Sequence, residues 1–222
     1  MENPLLRIGL IHAVPIAMAP IEAAFQERWP EAMRTNLLDD ALAPDLERAG
    51  ELNKPISERI NRLAGYCIDA GAKAVLFTCS AFGPAIEKAA ASASVPVLKP
   101  NEAMFEHIFT HGTRIGMLAT FQPSVASMEA EFYAEARRKG VDATLETLTL
   151  SEARSAANSG DYPLHNRLLA EAALHFRTFD ALMLAHFSMA PALAEIQAAV
   201  AIPVLTAPQS AVMHLKDILG SR

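Results

Sequence analysis

Two cysteines, one tryptophan and three tyrosines are all that 222 residues hold of those types. Two cysteines make no disulfide framework, and here Cys67 falls in a helical stretch while Cys79 ends a strand-like run, so cytoplasm is the default compartment. No uninterrupted apolar run reaches the roughly 18–20 residues that a membrane span needs. There is no block of basic residues, and the formal charge of −6 argues against nucleic acid as a partner. No CxxC pair occurs, and no metal site is expected. The start, Met-Glu-Asn-Pro, is acidic and leads into a strand-like run, so no signal peptide is expected. What is abundant is apolar: 51% hydrophobic residues describe a folded globular chain, long enough for one large or two small domains. A mean hydropathy of +0.18 leaves room for a homodimer.

The chain repeats itself. Cys79 and His186 lie 107 residues apart (186 − 79), and that offset carries Arg7-Ile8-Gly9 onto Arg114-Ile115-Gly116. Glu22-Ala23 lands on Glu129-Ala130, Phe25 on Phe132, Pro84-Ala85 on Pro191-Ala192, and Pro96-Val97-Leu98 on Pro203-Val204-Leu205. Chance matching of apolar strands would not bring glycine, proline and arginine along at one offset, here expected to run without a gap. The expectation is an internal duplication of one α/β unit.

Within each copy, strand-like runs alternate with helical ones. Arg7–Ile11, Arg34–Leu38, Lys73–Thr78 and Pro96–Leu98 read as strands of the first copy. A stretch up to Trp29, Pro55–Ala70 and Pro84–Ala93 read as helices, and Asp39–Lys54 as a loop with a helical turn at most. In the second copy Arg114–Ala119, Ala143–Leu148, Asp180–Ala185 and Pro203–Leu205 read as strands. Pro123–Lys139, Tyr162–Thr178 and Pro191–Val200 read as helices, and a last helix runs from about Pro208 to Leu219. This alternation predicts an α/β fold: two pseudo-symmetric domains from the duplication, each a parallel sheet of about four strands flanked by helices.

In such sheets ligands bind beyond the carboxyl ends of the strands, which is where Cys79, His186, His12 and Thr120 fall. Cys79 leaves a strand just before a helix that Pro84 opens; unpaired N–H groups at a helix start favour a thiolate and can hold a carboxylate. The competing reading is a buried, inert cysteine, as Cys67 is on its apolar helical stripe. His186 takes the same loop position in the second copy, where an imidazole suits proton transfer near neutral pH; the alternative is a hydrogen-bonded structural histidine. An acid/base group on each face of one carbon is what a two-base racemase needs, with donors on the substrate carboxylate to steady the enolate-like charge. Ser80, Thr120, Ser124 and Ser188 offer hydroxyls, with Ala81 and Phe187 beside them in the loops. Thr120 reads equally as a helix cap. His12 follows the first strand, and Asp40, in the pair Asp39-Asp40, could meet a substrate amino or hydroxyl group or simply be solvated. Arg59, Arg62 and Lys54 read as a solvated helix face. His107, His111, His165, His175 and His214 fall on helices or helix ends and read as structural.

Ala74-Val75-Leu76-Phe77-Thr78-Cys79-Ser80 resembles the first catalytic-cysteine loop of the aspartate/glutamate/hydantoin racemase superfamily. Ala181-Leu182-Met183-Leu184-Ala185-His186 resembles the strand that delivers the family's second cysteine, and Leu118-Ala119-Thr120 its carboxylate-binding loop. The resemblance covers nearly the whole chain. It implies an enzyme with no cofactor acting on small carboxylic acids, its site between two flavodoxin-like domains, and a final helix that returns to the first domain, so that the expected division is 1–99 plus 208–222 for the first domain and 100–207 for the second. Members include amino-acid and hydantoin racemases, maleate cis–trans isomerases and arylmalonate decarboxylases. The chain departs from the family where His186 replaces the second cysteine, where Ala81 replaces a polar residue, and where His12-Ala13-Val14-Pro15 lacks an acidic residue. The function expected is a racemase or isomerase of a small carboxylate using Cys79 and His186. The alternatives are a decarboxylase or cis–trans isomerase using Cys79 alone, a cysteine hydrolase, and a small-molecule binding protein without catalysis.

Overall fold

A computed structural model describes residues 6–220. The chain divides into two compact units, one running to Pro100 and resuming at Ala211, the other spanning Asn101–Ser210.

In the first unit, β1 (Arg7–His12), β2 (Met33–Leu38), β3 (Ala74–Phe77) and β4 (Val97–Leu98) form a parallel sheet in the order β2-β1-β3-β4. The second unit repeats the order with β5 (Arg114–Ala119), β6 (Thr144–Thr149), β7 (Ala181–Leu184) and β8 (Val204–Thr206), as β6-β5-β7-β8. All six strand pairings are parallel. Parallel strands need long crossovers, and the helices supply them. These are α1 (Met18–Arg28), α2 (Leu42–Ala49), α3 (Lys54–Asp69) and α4 (Gly83–Ser92), then α5 (Glu102–Ile108) and α6 (Val125–Lys139). α7 (Ser151–Asn158), α8 (Tyr162–Ala173), α9 (Leu193–Ala199) and α10 (Ala207–Gly220) complete the set among the described residues. β3 and β7, which with β1 and β5 are the inner strands of the two sheets, are apolar and buried along their whole length, as strands covered on both faces must be.

Each unit has its own core. In the first, Ile60, Ala64 and Cys67 of α3 and Ile86 and Ala89 of α4 pack on Ile11, Val75 and Phe77. In the second, Leu169 and Ala173 of α8, Phe176 and Ile196 pack on Leu118, Leu182 and Leu184. Two glycines let helix and sheet approach. A Cβ on Gly9 would lie 2.8 Å from the Cys67 Cβ, and one on Gly116 would collide with the Phe176 ring. Helix starts are matched as well: Asn53 accepts from the Ile56 N–H and Asp161 from the Leu164 N–H, each followed by a proline in the first turn.

Three expectations need correction. The offset of 107 is not gapless. β2 and β6 hold the same register against β1 and β5, yet Asn36 and Thr147 in the matching positions differ by 111 (147 − 36). The second copy therefore carries extra residues ahead of β6, and the offset is back to 107 at β7, where Ala181 holds the place of Ala74 (181 − 74). Second, the segment Asp39–Lys54 is not a loop with one turn: α2 occupies Leu42–Ala49, with Leu42 buried and Gly50 closing it at φ 70°. Third, helices that begin at prolines start differently. Pro191 lies inside a 3-10 turn, Phe187–Ala192, and α9 begins only at Leu193, while α8 ends at Ala173 and hands over to a 3-10 turn, Leu174–Phe176. α5 and α7 were not anticipated as elements. The last helix crosses from the second unit into the first, where Lys216 Nζ donates to the Arg28 carbonyl at 3.1 Å.

Candidate active site

Cys79 and His186 occupy equivalent backbone positions. Each leaves a buried inner strand in extended conformation (φ −123°, ψ 122° and φ −115°, ψ 146°) and precedes a 3-10 turn, Ser80–Phe82 or Phe187–Ala192. The turn then feeds a helix start, with Pro84 in the first turn of α4. Cys79 is partly exposed and in no disulfide, whereas Cys67 is buried and its thiol is pushed up to about 11 by burial. The two cysteines thus divide as their sequence positions suggested, one accessible and one sealed in the core.

In the second unit the loops after β5 and β7 meet at His186. Its Nδ1 faces the Thr120 N–H at 3.2 Å and the Thr120 hydroxyl at 3.3 Å, and its Nε2 lies 2.8 Å from Ser124 Oγ. Ser124 in turn donates to the Phe121 carbonyl at 2.9 Å, so its oxygen accepts the Nε2 hydrogen and Nδ1 is the bare acceptor. Burial, and then the positive charge of Arg154, pull the His186 pKa down to about 4, which leaves a neutral imidazole at neutral pH. Arg154 is exposed and lies over the Phe121 ring, 4.0 Å from its centroid. Thr120 and Ser124, proposed from sequence as donors to a substrate, thus belong to the His186 setting; both are buried.

In the first unit His12 is fully buried, with Nδ1 2.9 Å from Thr78 Oγ1 and Nε2 2.8 Å from Asn36 Oδ1. Burial holds its pKa below 6.5, against the Asn36 hydrogen bond and the charge of Glu22, which pull it back up. Ser80 and Phe187 are buried, Ala81 and Ser188 half-buried, and Asp40 exposed. Asp39 is held by Arg59, which also reaches Asp45 at 2.8 Å. Arg59 is therefore part of an ion-pair cluster and not of a solvated face. A groove of about 360 Å³ lined by Leu37, Asp39, Arg59, Arg62, Leu63 and Tyr66 touches neither Cys79 nor His12. His107 and His111 stand four residues apart, but α5 ends at Ile108, and among the described residues no group of three or more His, Cys, Asp or Glu could hold a metal ion. No helix among them is long and apolar enough to cross a membrane. Sequence reasoning passed over Thr78, Asn36 and Arg154; the one hint was Glu22 and Glu129 recurring in the repeat.

Two α/β units with the same strand order, each ending its second inner strand in the same kind of loop, define a duplicated α/β fold. The chain belongs to the Asp/Glu/hydantoin racemase family, a family of isomerases, whose model matches residues 16–175. Cys79 lies within the matched stretch; His12 and His186 lie outside it. The fold is similar to that of the aspartate racemase of Picrophilus torridus, with a TM-score of 0.72, 15% identity, and 96% of this chain and 94% of that one covered. It is similar to a glutamate racemase from Thermus thermophilus solved in complex with β-chloro-D-alanine (TM-score 0.70, 17% identity, 99% and 82% covered). An allantoin racemase from Pseudomonas fluorescens is also similar (TM-score 0.65, 14% identity, 96% and 91% covered). No curated protein matches the sequence.

Proposed function

We propose that this protein is a racemase of a small carboxylic acid, of the amino-acid or hydantoin kind, working without a cofactor through Cys79 and His186. The observation that carries the reading is the equivalence of the two loops: thiol and imidazole leave matching strands in matching backbone states within a racemase-family chain. In one direction neutral His186 takes the α-proton from one face while the Cys79 thiol gives a proton to the other; the resulting imidazolium and thiolate run the reverse direction. An imidazole held near 4 is a weak base, so a substrate anion close to it, offsetting Arg154, would strengthen it on binding. Ser80, Ala81, Phe187 and Ser188 are the proposed substrate contacts in the two loops, with Thr120 and Ser124 steadying His186. Asp40 is kept as a contact for a substrate amino group. Cytoplasm is the proposed compartment and a homodimer the proposed assembly.

A second reading has specific support. Both ring nitrogens of His186 are engaged by Thr120 and Ser124. If they stay engaged, Cys79 works alone, as a decarboxylase or cis–trans isomerase would use it. Proton NMR in D2O with pooled amino acids, hydantoins, 2-aryl acids and short dicarboxylates separates the two. Loss of an α-proton signal from both enantiomers of one compound, abolished in Cys79→Ser, supports racemisation. Carbon dioxide release or a change of double-bond geometry supports the second reading. Full activity in a folded Cys79→Ser variant ends both.

A further inference from the structure

At the ends of β1 and β3 stand a buried imidazole, His12, and a buried hydroxyl, Thr78, the latter next to the thiol, and the matching strand ends of the second half carry neither. The orientation of each group follows from the next. Asn36 Nδ2 donates to Glu22 Oε1 at 2.9 Å, so its NH2 faces the carboxylate and its Oδ1 faces His12. That oxygen can only accept, so the hydrogen of neutral His12 is on Nε2. Nδ1 is then the acceptor, and the Thr78 hydroxyl, which also lies 3.3 Å from the Ile11 carbonyl, gives its one hydrogen to the nearer Nδ1 at 2.9 Å. Glu22, itself paired with Arg34 at 3.2 Å, thereby sets every donor as far as the residue next to Cys79. Thr78 is also tied to β1 by its backbone, N–H to the Ile11 carbonyl at 3.0 Å.

The second half keeps the anchor and drops the rest. Thr147 holds the register position of Asn36, and its hydroxyl donates to Glu129 at 2.6 Å, as Asn36 donates to Glu22. Where His12 and Thr78 stand, the second half has Ala119 and Ala185, both buried. The same sheet forms on either pair, so the fold does not require the polar one. The hydrogen bonds of His12 and Thr78 offset the desolvation of the two groups, but where two alanines suffice the sheet itself gives no reason to bury them. What differs downstream is the loop residue: a thiol after Thr78, an imidazole after Ala185.

We propose that His12 and Thr78 are positioning residues for Cys79: the imidazole, oriented by Asn36 and Glu22, fixes the Thr78 hydroxyl and with it the strand end that holds the thiol at the start of the following helix. His12 is then a support behind the loop and not a substrate contact. This rests on Cys79 being the reacting thiol.

The test uses the full chain and iodoacetamide as probe, with modification of Cys79 followed by mass spectrometry near neutral pH. Cys67 does not interfere, being buried with its thiol pushed up to about 11. Thr78→Val keeps the shape and removes the hydroxyl; Thr78→Ser restores it. Thr78→Val should slow alkylation about tenfold or more and Thr78→Ser bring it back to within about threefold, since small displacements of a reacting atom cost factors of this order. On a substrate found by exchange, kcat should fall while KM holds. Equal rates for the valine, serine and parent proteins would overturn the proposal. Should the valine variant fold poorly, His12→Ala with Thr78→Ala, the pair the second half already uses, serves instead, with the same slowing expected. Nitrogen NMR of the parent protein is an independent check: His12 protonated on Nδ1 alone would overturn the proposal. Slowed alkylation in Thr78→Val together with full turnover in Cys79→Ser would leave the positioning intact and remove the catalytic reading instead.

Discussion

Ser124 Oγ lies 2.8 Å from His186 Nε2 and donates its own hydrogen to the Phe121 carbonyl 2.9 Å away. The loop after β5 thus decides which nitrogen of a residue in the loop after β7 carries the proton. Ser124→Ala should free that nitrogen. The Nε2–H then lacks its protein acceptor, at a cost of up to about 1–3 kcal/mol, less where water takes the place of Ser124. Deuterium exchange at the substrate α-carbon should fall by about tenfold to a hundredfold, read by NMR in D2O. Unchanged exchange in this variant would argue that His186 takes no part in proton transfer.

Arg154→Gln should raise the His186 pKa. Burial is the larger cause of its depression and persists in the variant, so the group should stay below 6.5 while moving up from about 4. Arg154 is exposed and salt-screened, so the rise should be small and shrink further at high ionic strength. NMR titration of the His186 ring protons reads it directly.

Stability should fall as the solution is acidified from neutral. His12 and His186 are both depressed in the folded chain, His186 to about 4, whereas the unfolded chain titrates near 6.5. Between those values the unfolded state binds more protons, so the stabilisation from keeping both rings neutral is complete above about 6.5 and is lost as pH drops toward 4. Urea midpoints at about pH 7.5 and about pH 5 should differ in that direction. In a His186→Phe variant, which has no titrating ring at that position, the difference should be smaller.

His186→Cys would give the second loop the same group as the first. With Thr120 and Ser124 released from the imidazole, racemisation should appear or improve, measured as inversion of each enantiomer in D2O. No change in inversion would indicate that the two groups do not share a substrate.

The sheets were legible because Arg7–Ile11, Lys73–Thr78 and their repeats are short apolar runs between turn residues, and a parallel strand buried on both faces has little other pattern to show. Cys79 was legible because a thiol between such a strand and a proline-opened helix has few structural reasons to be there. α2 was missed because Pro44 and Gly50 read as breakers, although one lies in the helix's first turn and the other closes it. The true setting of His186 was out of reach: it depends on Thr120 and Ser124 being more than 60 residues away in sequence and within hydrogen-bond distance in space. The same holds for Thr78, whose role rests on an imidazole two strands back along the chain. The change of sequence offset at β6 escaped because insertions between repeats cancel over a full copy, leaving the matches on either side in step.

Gly9 and Gly116 hold the same place in their sheets, yet one makes room for a sulfhydryl and the other for a phenyl ring. The empty volume over the strand was inherited as a vacancy and filled twice by different tenants. The helical layers of the two halves are therefore not interchangeable parts. A graft that set the α3 layer over β5 would leave the space of a phenyl ring unfilled, and the reverse graft would press that ring into a gap cut for one sulfur atom.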